Sequence, residues 1–145
     1  MSNYFVDTSA LFKRYILEEG TEKIDDIFKQ GGTFYISDIT IIEIISNLKR
    51  KNEISKELDD AVHKKIKSEF FNDIAQGKIK TYSVLSGTII EAIHLIDQQY
   101  VTPIDSLQLA TALQLNSEQR DMVFICSDKK MGILAEKCGL QSLMI

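Results

Sequence analysis

Four acidic residues stand where they could do chemistry together. Asp7 ends the apolar run Tyr4–Val6 and opens Thr8-Ser9-Ala10, Glu43 interrupts the run from Ile41 to Ile45, Asp105 follows Thr102-Pro103-Ile104, and Asp128 follows Cys126-Ser127. Each has an ordinary structural reading. Asp7 and Asp128 suit helix N-caps. Asp105 falls in a first helical turn, where Thr102 can cap, Pro103 suits the first position and a negative charge complements the helix dipole. Thr40 and Glu43 have the spacing of a capping box. Their common placement is the stronger signal: three of the four lie at expected strand-to-helix junctions or helix starts, and Glu43 opens the helix after the second strand. In a parallel α/β sheet those places lie outside the carboxyl ends of the strands, where ligands bind. Carboxylates gathered there repel one another unless a cation neutralises them. An all-oxygen set without His or Cys companions favours a hard ion, Mg²⁺ or Mn²⁺, over Zn²⁺. His63 and His94 belong to separate helical patterns with no HExxH or paired-cysteine arrangement, and read as helix residues rather than ligands.

The elements that must position these acids follow from hydrophobic periodicity. Short apolar runs alternate with longer helical patterns, the signature of βαβ units on a mostly parallel sheet. Strands are expected at Tyr4–Val6, Phe34–Ile36, Lys80–Tyr82, Val123–Cys126 and Ser142–Ile145. Helices are expected at Ala10–Glu18, Thr21–Gln30, Ile41–Lys51, Lys56–Gln76, Gly87–Gln98, Pro103–Leu115 and Lys129–Lys137. At about 100° per residue, Ile41, Ile44, Ile45 and Leu48 share one helix face while Glu43, Asn47 and Arg50 point roughly the other way. Leu58, Val62, Ile66, Phe70 and Ile74 recur every fourth residue, which predicts a long helix that forms an arm with Ile41–Lys51. Residues 1–145 therefore read as one α/β domain: three layers, α/β/α, around a mostly parallel five-stranded sheet.

Composition agrees with that class. A chain of 145 residues fits one domain, and an apolar content of 44% supplies its core without a metal or disulfide staple. A net charge of −4 argues against holding duplex nucleic acid by bulk electrostatics, while leaving room for a localised site. Cys126 and Cys138 form neither a disulfide framework nor a CxxC pair, as suits a reducing cytosol. Asp7 cuts the N-terminal apolar stretch short of a signal core and no later stretch reaches membrane-spanning length, so the expectation is a cytoplasmic protein with no membrane attachment. Linkers, repeats and low-complexity segments are also absent from the pattern.

Phe5 to Leu11, Ser37 to Glu43, Ile104 to Ala112 and Cys126 to Gly139 resemble, in order and spacing, the four successive motifs of PIN-domain ribonucleases of the VapC toxin type. The resemblance covers nearly the whole chain. It implies a metal-dependent endoribonuclease with Asp7, Glu43, Asp105 and Asp128 as its acidic quartet, and with the hydroxyls of Ser9 and Ser127 in support. Members frequently carry Thr where this chain has Ser127, a change that keeps the hydroxyl. The resemblance further implies a homodimer, products with a 5′-phosphate and a 3′-hydroxyl, and often a cognate antitoxin that plugs the site.

Phosphodiester cleavage needs an activated water, relief of phosphate charge and a stabilised leaving oxygen, all of which a divalent ion supplies. Asp7, Asp105 and Asp128 are the expected ligands, with Glu43 a ligand directly or through water. Ser9 and Ser127 could orient a carboxylate or a water by hydrogen bonds. For RNA binding, the candidate cations are Lys13, Arg14, Lys49, Arg50 and Lys51, with Lys64-Lys65-Lys67 and Lys129-Lys130 as further clusters; each is also an ordinary solvated helix face. Tyr15, Tyr35, Phe70 and Phe71 could stack on bases, although aromatic residues at helical spacing more often serve the core. A haloacid-dehalogenase-like phosphatase would want a second Asp where Ser9 stands, and GxGxxG, GxxxxGK[ST] and GxSxG are all missing. The remaining alternatives are a non-catalytic PIN-like domain that binds RNA or protein, whose acids only cap helices, and an RNA-processing nuclease without an antitoxin.

Overall fold

Successive side chains of a strand face opposite sides of its sheet, and here Phe5 and Phe124 enter one core while their neighbours Val6 and Ile125 enter another. A computed structural model describes all residues from Met1 to Ile145. Its elements are β1 (Asn3–Val6), α1 (Thr8–Tyr15), α2 (Thr21–Gln30), β2 (Thr33–Ser37), α3 (Asp38–Glu53), α4 (Asp60–Ala75), β3 (Lys80–Tyr82), α5 (Ser86–Gln98), α6 (Pro103–Gln119), β4 (Met122–Cys126), α7 (Lys129–Lys137) and β5 (Gln141–Met144). The five strands run parallel in the order β3-β2-β1-β4-β5. Helices α5, α6 and α7 pack on one face through Leu95, Leu109, Leu115 and Leu134, and α1 to α4 pack on the other through Leu11, Ile24, Ile44, Leu48 and Phe70. The three-layer architecture expected from the sequence is the one observed.

Chain direction across the sheet reverses between β1 and β4, the place where doubly wound sheets leave a crevice. The backbone N–H of Asp7 donates to the carbonyl of Ile125 at 2.9 Å and carries that pairing one residue past β1. Asp7 is thereby anchored at the switch point.

Side-chain caps explain where element ends depart from expectation. Ser37 accepts from the Ile39 N–H, so α3 begins at Asp38 rather than Ile41, and Thr40 lies inside the helix as a buried residue. The Thr40–Glu43 capping box is therefore not formed. Lys56 takes a φ of +56° and Asp59 accepts from the Val62 N–H at 2.8 Å, which delays α4 to Asp60. The arm of α3 and α4 is joined to the body through buried Ile44, Leu48, Ile66 and Phe70, while Val62 stays on the surface. In α1, Thr21 Oγ1 donates to the carbonyl of Lys13, and the turn this makes ends the helix at Tyr15 rather than Glu18.

Candidate active site

Asp7 occupies the N-cap position of α1, yet its carboxylate makes no cap hydrogen bond. It is 6% exposed and accepts instead from Ser9 Oγ at 3.2 Å. Ser9 in turn accepts from Ser127 Oγ at 2.7 Å. A relay of two hydroxyls thus runs from the start of α7 across the switch point to Asp7, which places both supporting serines beside the acid they were expected to serve. Burial is the main influence that raises the pKa of Asp7 from 3.8 to about 7, followed by the charge of Asp105; the Ser9 hydroxyl and the Thr8 amide oppose it, and Glu43 adds a smaller upward push.

Glu43 projects from α3 toward the same region. Its Oε1 accepts from Thr8 Oγ1 at 2.7 Å and from Gln108 Nε2 at 3.1 Å. Gln108 also donates toward Thr8 Oγ1 and Thr40 Oγ1 at 2.9 and 2.8 Å, and the two threonine hydroxyls meet at 3.0 Å. Sequence reading gave Thr8, Thr40 and Gln108 no such role. Residues three apart share a helix face, so the acids themselves point to two of the three: Gln108 lies three after Asp105 on α6, and Thr40 lies three before Glu43 on α3.

Asp105 sits in the first turn of α6, whose N-cap Thr102 accepts from the Asp105 N–H. Asp128 caps α7 by accepting from the Lys130 N–H at 2.9 Å and remains exposed. Asp105 and Asp128 line one cleft of about 240 Å³ together with Thr102, Lys130 and Tyr100. Asp105 and Glu43 both act electrostatically on Asp7, whereas no three Asp, Glu, His or Cys side chains are drawn close enough to grip an ion.

In charge and donor chemistry the set fits a hard divalent cation. None of the four acids takes part in a salt bridge. The donors are carboxylates and hydroxyls alone, and Asp7 is a buried acid with acidic neighbours and no cationic partner.

Lys13, Arg14, Lys49, Arg50 and Lys51 are occupied locally, whereas the Lys64-Lys65-Lys67 and Lys129-Lys130 clusters form no salt bridge. Lys13 donates to the Glu19 carbonyl and pairs with Glu18. Arg14 lies 4.2 Å over the Phe28 ring and pairs with Asp25 and Asp73. Lys49 pairs with Glu53, Lys51 with Glu57, and Arg50 reaches Asn47. Among the aromatic candidates, Phe70 is fully buried, Tyr15 donates to Asp73 Oδ2 at 2.6 Å and Tyr35 packs on the core, so these three serve the fold; Phe71 is exposed. Tyr100, 82% exposed, lines the Asp105–Asp128 cleft.

Comparison with solved structures finds the same fold in several proteins. One is described as a toxin–antitoxin complex from Klebsiella pneumoniae, with 17% identity, a TM-score of 0.64 and 90% of each chain covered. FitAcB from Neisseria gonorrhoeae matches with 12% identity, a TM-score of 0.69 and coverage of 97% of this chain and 96% of that one. DNA-bound VapBC from Salmonella typhimurium matches with 14% identity, a TM-score of 0.61 and coverage of 99% and 98%. No protein of curated function matches the chain. The PIN-domain family profile matches residues 4–137, which take in all four acids and nearly the whole fold, and the chain belongs to the PIN-domain family.

Proposed function

We propose that this protein is a divalent-metal-dependent endoribonuclease, the VapC-type toxin of a toxin–antitoxin pair. The observation that carries the reading is the uncompensated carboxylate of Asp7, buried at the switch point beside Asp105 and Glu43. Mg²⁺ or Mn²⁺, when bound there, supplies activated water and offsets the charge of a phosphodiester. Asp7, Asp105 and Asp128 would hold the ion, with Glu43 as a further oxygen donor. Ser9 and Ser127 orient Asp7 through their hydroxyl relay. Lys130 stands at the Asp105–Asp128 cleft where a phosphate would approach, and Tyr100 offers a stacking surface for an unpaired base.

Partner binding is supported by two apolar faces that the single chain leaves open. One is a groove of about 620 Å³ on α3, lined by Ile41, Ile42, Ile45 and Ile54 with Lys49 and Arg50 at its edge. The other is formed by Ile89, Ile90 and Ile93 on α5, each at least half exposed. A cognate antitoxin and a second copy of this chain are the proposed occupants. The nuclease reading is tested by incubating purified protein with single-stranded RNA and sequencing the ends. Cleavage that requires Mg²⁺ or Mn²⁺, stops in excess chelator and is lost in Asp7→Asn supports it; undiminished cleavage by that variant overturns it.

A further inference from the structure

We infer that Gln108, Thr8 and Thr40 are positioning residues, a buried hydrogen-bonded layer that holds one oxygen of Glu43 in place and leaves the other free to face the cation; the inference rests on the metal-dependent reading above. Gln108 is 1% exposed, Thr8 6% and Thr40 fully buried, so water does not compete for their hydrogens. Counting donors fixes the direction of the network. Glu43 as a carboxylate only accepts, so the Thr8 hydroxyl, 2.7 Å away, must donate to it. Thr8 Oγ1 then accepts, and the Thr40 hydroxyl at 3.0 Å supplies that hydrogen. Gln108 Nε2 lies 2.8 Å from Thr40 Oγ1, 2.9 Å from Thr8 Oγ1 and 3.1 Å from Glu43 Oε1, so its two hydrogens are shared among these three acceptors. Turning the amide over would set its oxygen against the carboxylate, so the orientation is determined. Every hydrogen in the layer leads to Glu43 Oε1, while Oε2 receives none from the protein.

A second observation separates positioning from plain stability. Gln108 Oε1 is buried and has no hydrogen-bond partner. Leaving a buried carbonyl unpaired is unfavourable, and an apolar side chain at this position would avoid that penalty. The amide stands here with its Nε2 against Glu43 Oε1. Spacing along the chain supports the same view: Thr8 adjoins Asp7, Thr40 precedes Glu43 by one helical turn, and Gln108 follows Asp105 by one turn. The layer therefore draws one residue from the sequence neighbourhood of each of three acids, and touches Glu43 directly.

The test is Mn²⁺ binding to the full chain, measured by calorimetry, together with thermal unfolding. Gln108→Met removes both donors at similar volume and is expected to weaken Mn²⁺ binding about 10–100-fold, the range typical of groups that orient metal ligands. Thr8→Val should weaken it as well, and Thr8→Ser, which restores the hydroxyl, should bind as wild type; this pair carries the test if Gln108→Met does not fold. On a Glu43→Gln background, Gln108→Met should change the affinity by no more than about twofold, because its effect passes through Glu43. A lowered melting temperature with wild-type Mn²⁺ affinity, or effects that multiply in the double variant, would overturn the inference and leave the metal reading standing. A wild-type chain that binds no Mn²⁺ would overturn both, and the two failures are thereby distinguished.

Discussion

Replacing Asp7 by Asn should stabilise the metal-free protein at neutral pH, by an amount that follows from the burial of this carboxylate. The ordinary value of 3.8 applies to the unfolded chain, and the folded chain holds the proton up to about pH 7. Below pH 3.8 Asp7 is neutral in both states and folding carries no penalty. As pH rises the unfolded state ionises first, stability falls, and the loss levels off once the folded group ionises near pH 7. At about 1.36 kcal/mol per pH unit the full loss is roughly 4 kcal/mol. Asn cannot ionise and keeps an acceptor for Ser9 Oγ, so urea unfolding in excess chelator should show Asp7→Asn more stable than wild type by roughly 2–4 kcal/mol at pH 8. The difference should shrink toward zero as the pH approaches 4. Added Mn²⁺ should close the gap from the other side, since an ion that binds only the folded wild type stabilises it by mass action. A pH-independent difference between the two proteins, or a less stable Asp7→Asn at pH 8, would show that burial of the Asp7 carboxylate does not oppose folding.

Asp128→Asn keeps the N-cap acceptor that the Lys130 N–H uses, and Asn caps as well as Asp, so unfolding free energy should change by less than about 0.5 kcal/mol while RNA cleavage falls. Equal losses of both would assign Asp128 to structure alone. Tyr15→Phe removes the hydroxyl that donates to Asp73 at the far end of α1 from Asp7, and should cost about 1–3 kcal/mol in urea unfolding without altering Mn²⁺ affinity. Gly32→Ala should destabilise the fold by about 1–3 kcal/mol or more, because the residue has a φ of +142° and an added Cβ would lie 2.8 Å from the Ser2 carbonyl oxygen; chemical denaturation reads this directly.

The layers of this fold were legible because its buried strands are short apolar runs and its helices carry apolar stripes, so β3, α2 and α7 fall on the expected residues. Helix starts moved where one side chain decided the matter, as Ser37 does for α3 and Asp59 for α4. The placement of the four acids after strands and at helix starts was legible, and their likeness to the PIN motifs marked them as candidates. The layer beneath them was not, since a threonine near a helix start resembles a cap and a glutamine within a helix resembles surface. Only contacts across α1, α3 and α6 reveal Thr8, Thr40 and Gln108 as one network. The ambiguity of Phe70 was of another kind: a ring at helical spacing serves a core or a base equally well in sequence, and full burial against Tyr15 decides for the core.

Crystals grown with Mn²⁺ and measured at an X-ray wavelength where manganese scatters anomalously would show whether Asp7 and Asp105 hold the ion. The metal-site assignment requires an anomalous peak within coordination distance, roughly 2.0–2.5 Å, of carboxylate oxygens from Asp7 and Asp105, and no such peak in crystals of Asp7→Asn. Manganese bound only elsewhere on the surface, with Asp7 and Asp105 unligated in fully loaded crystals, would contradict it.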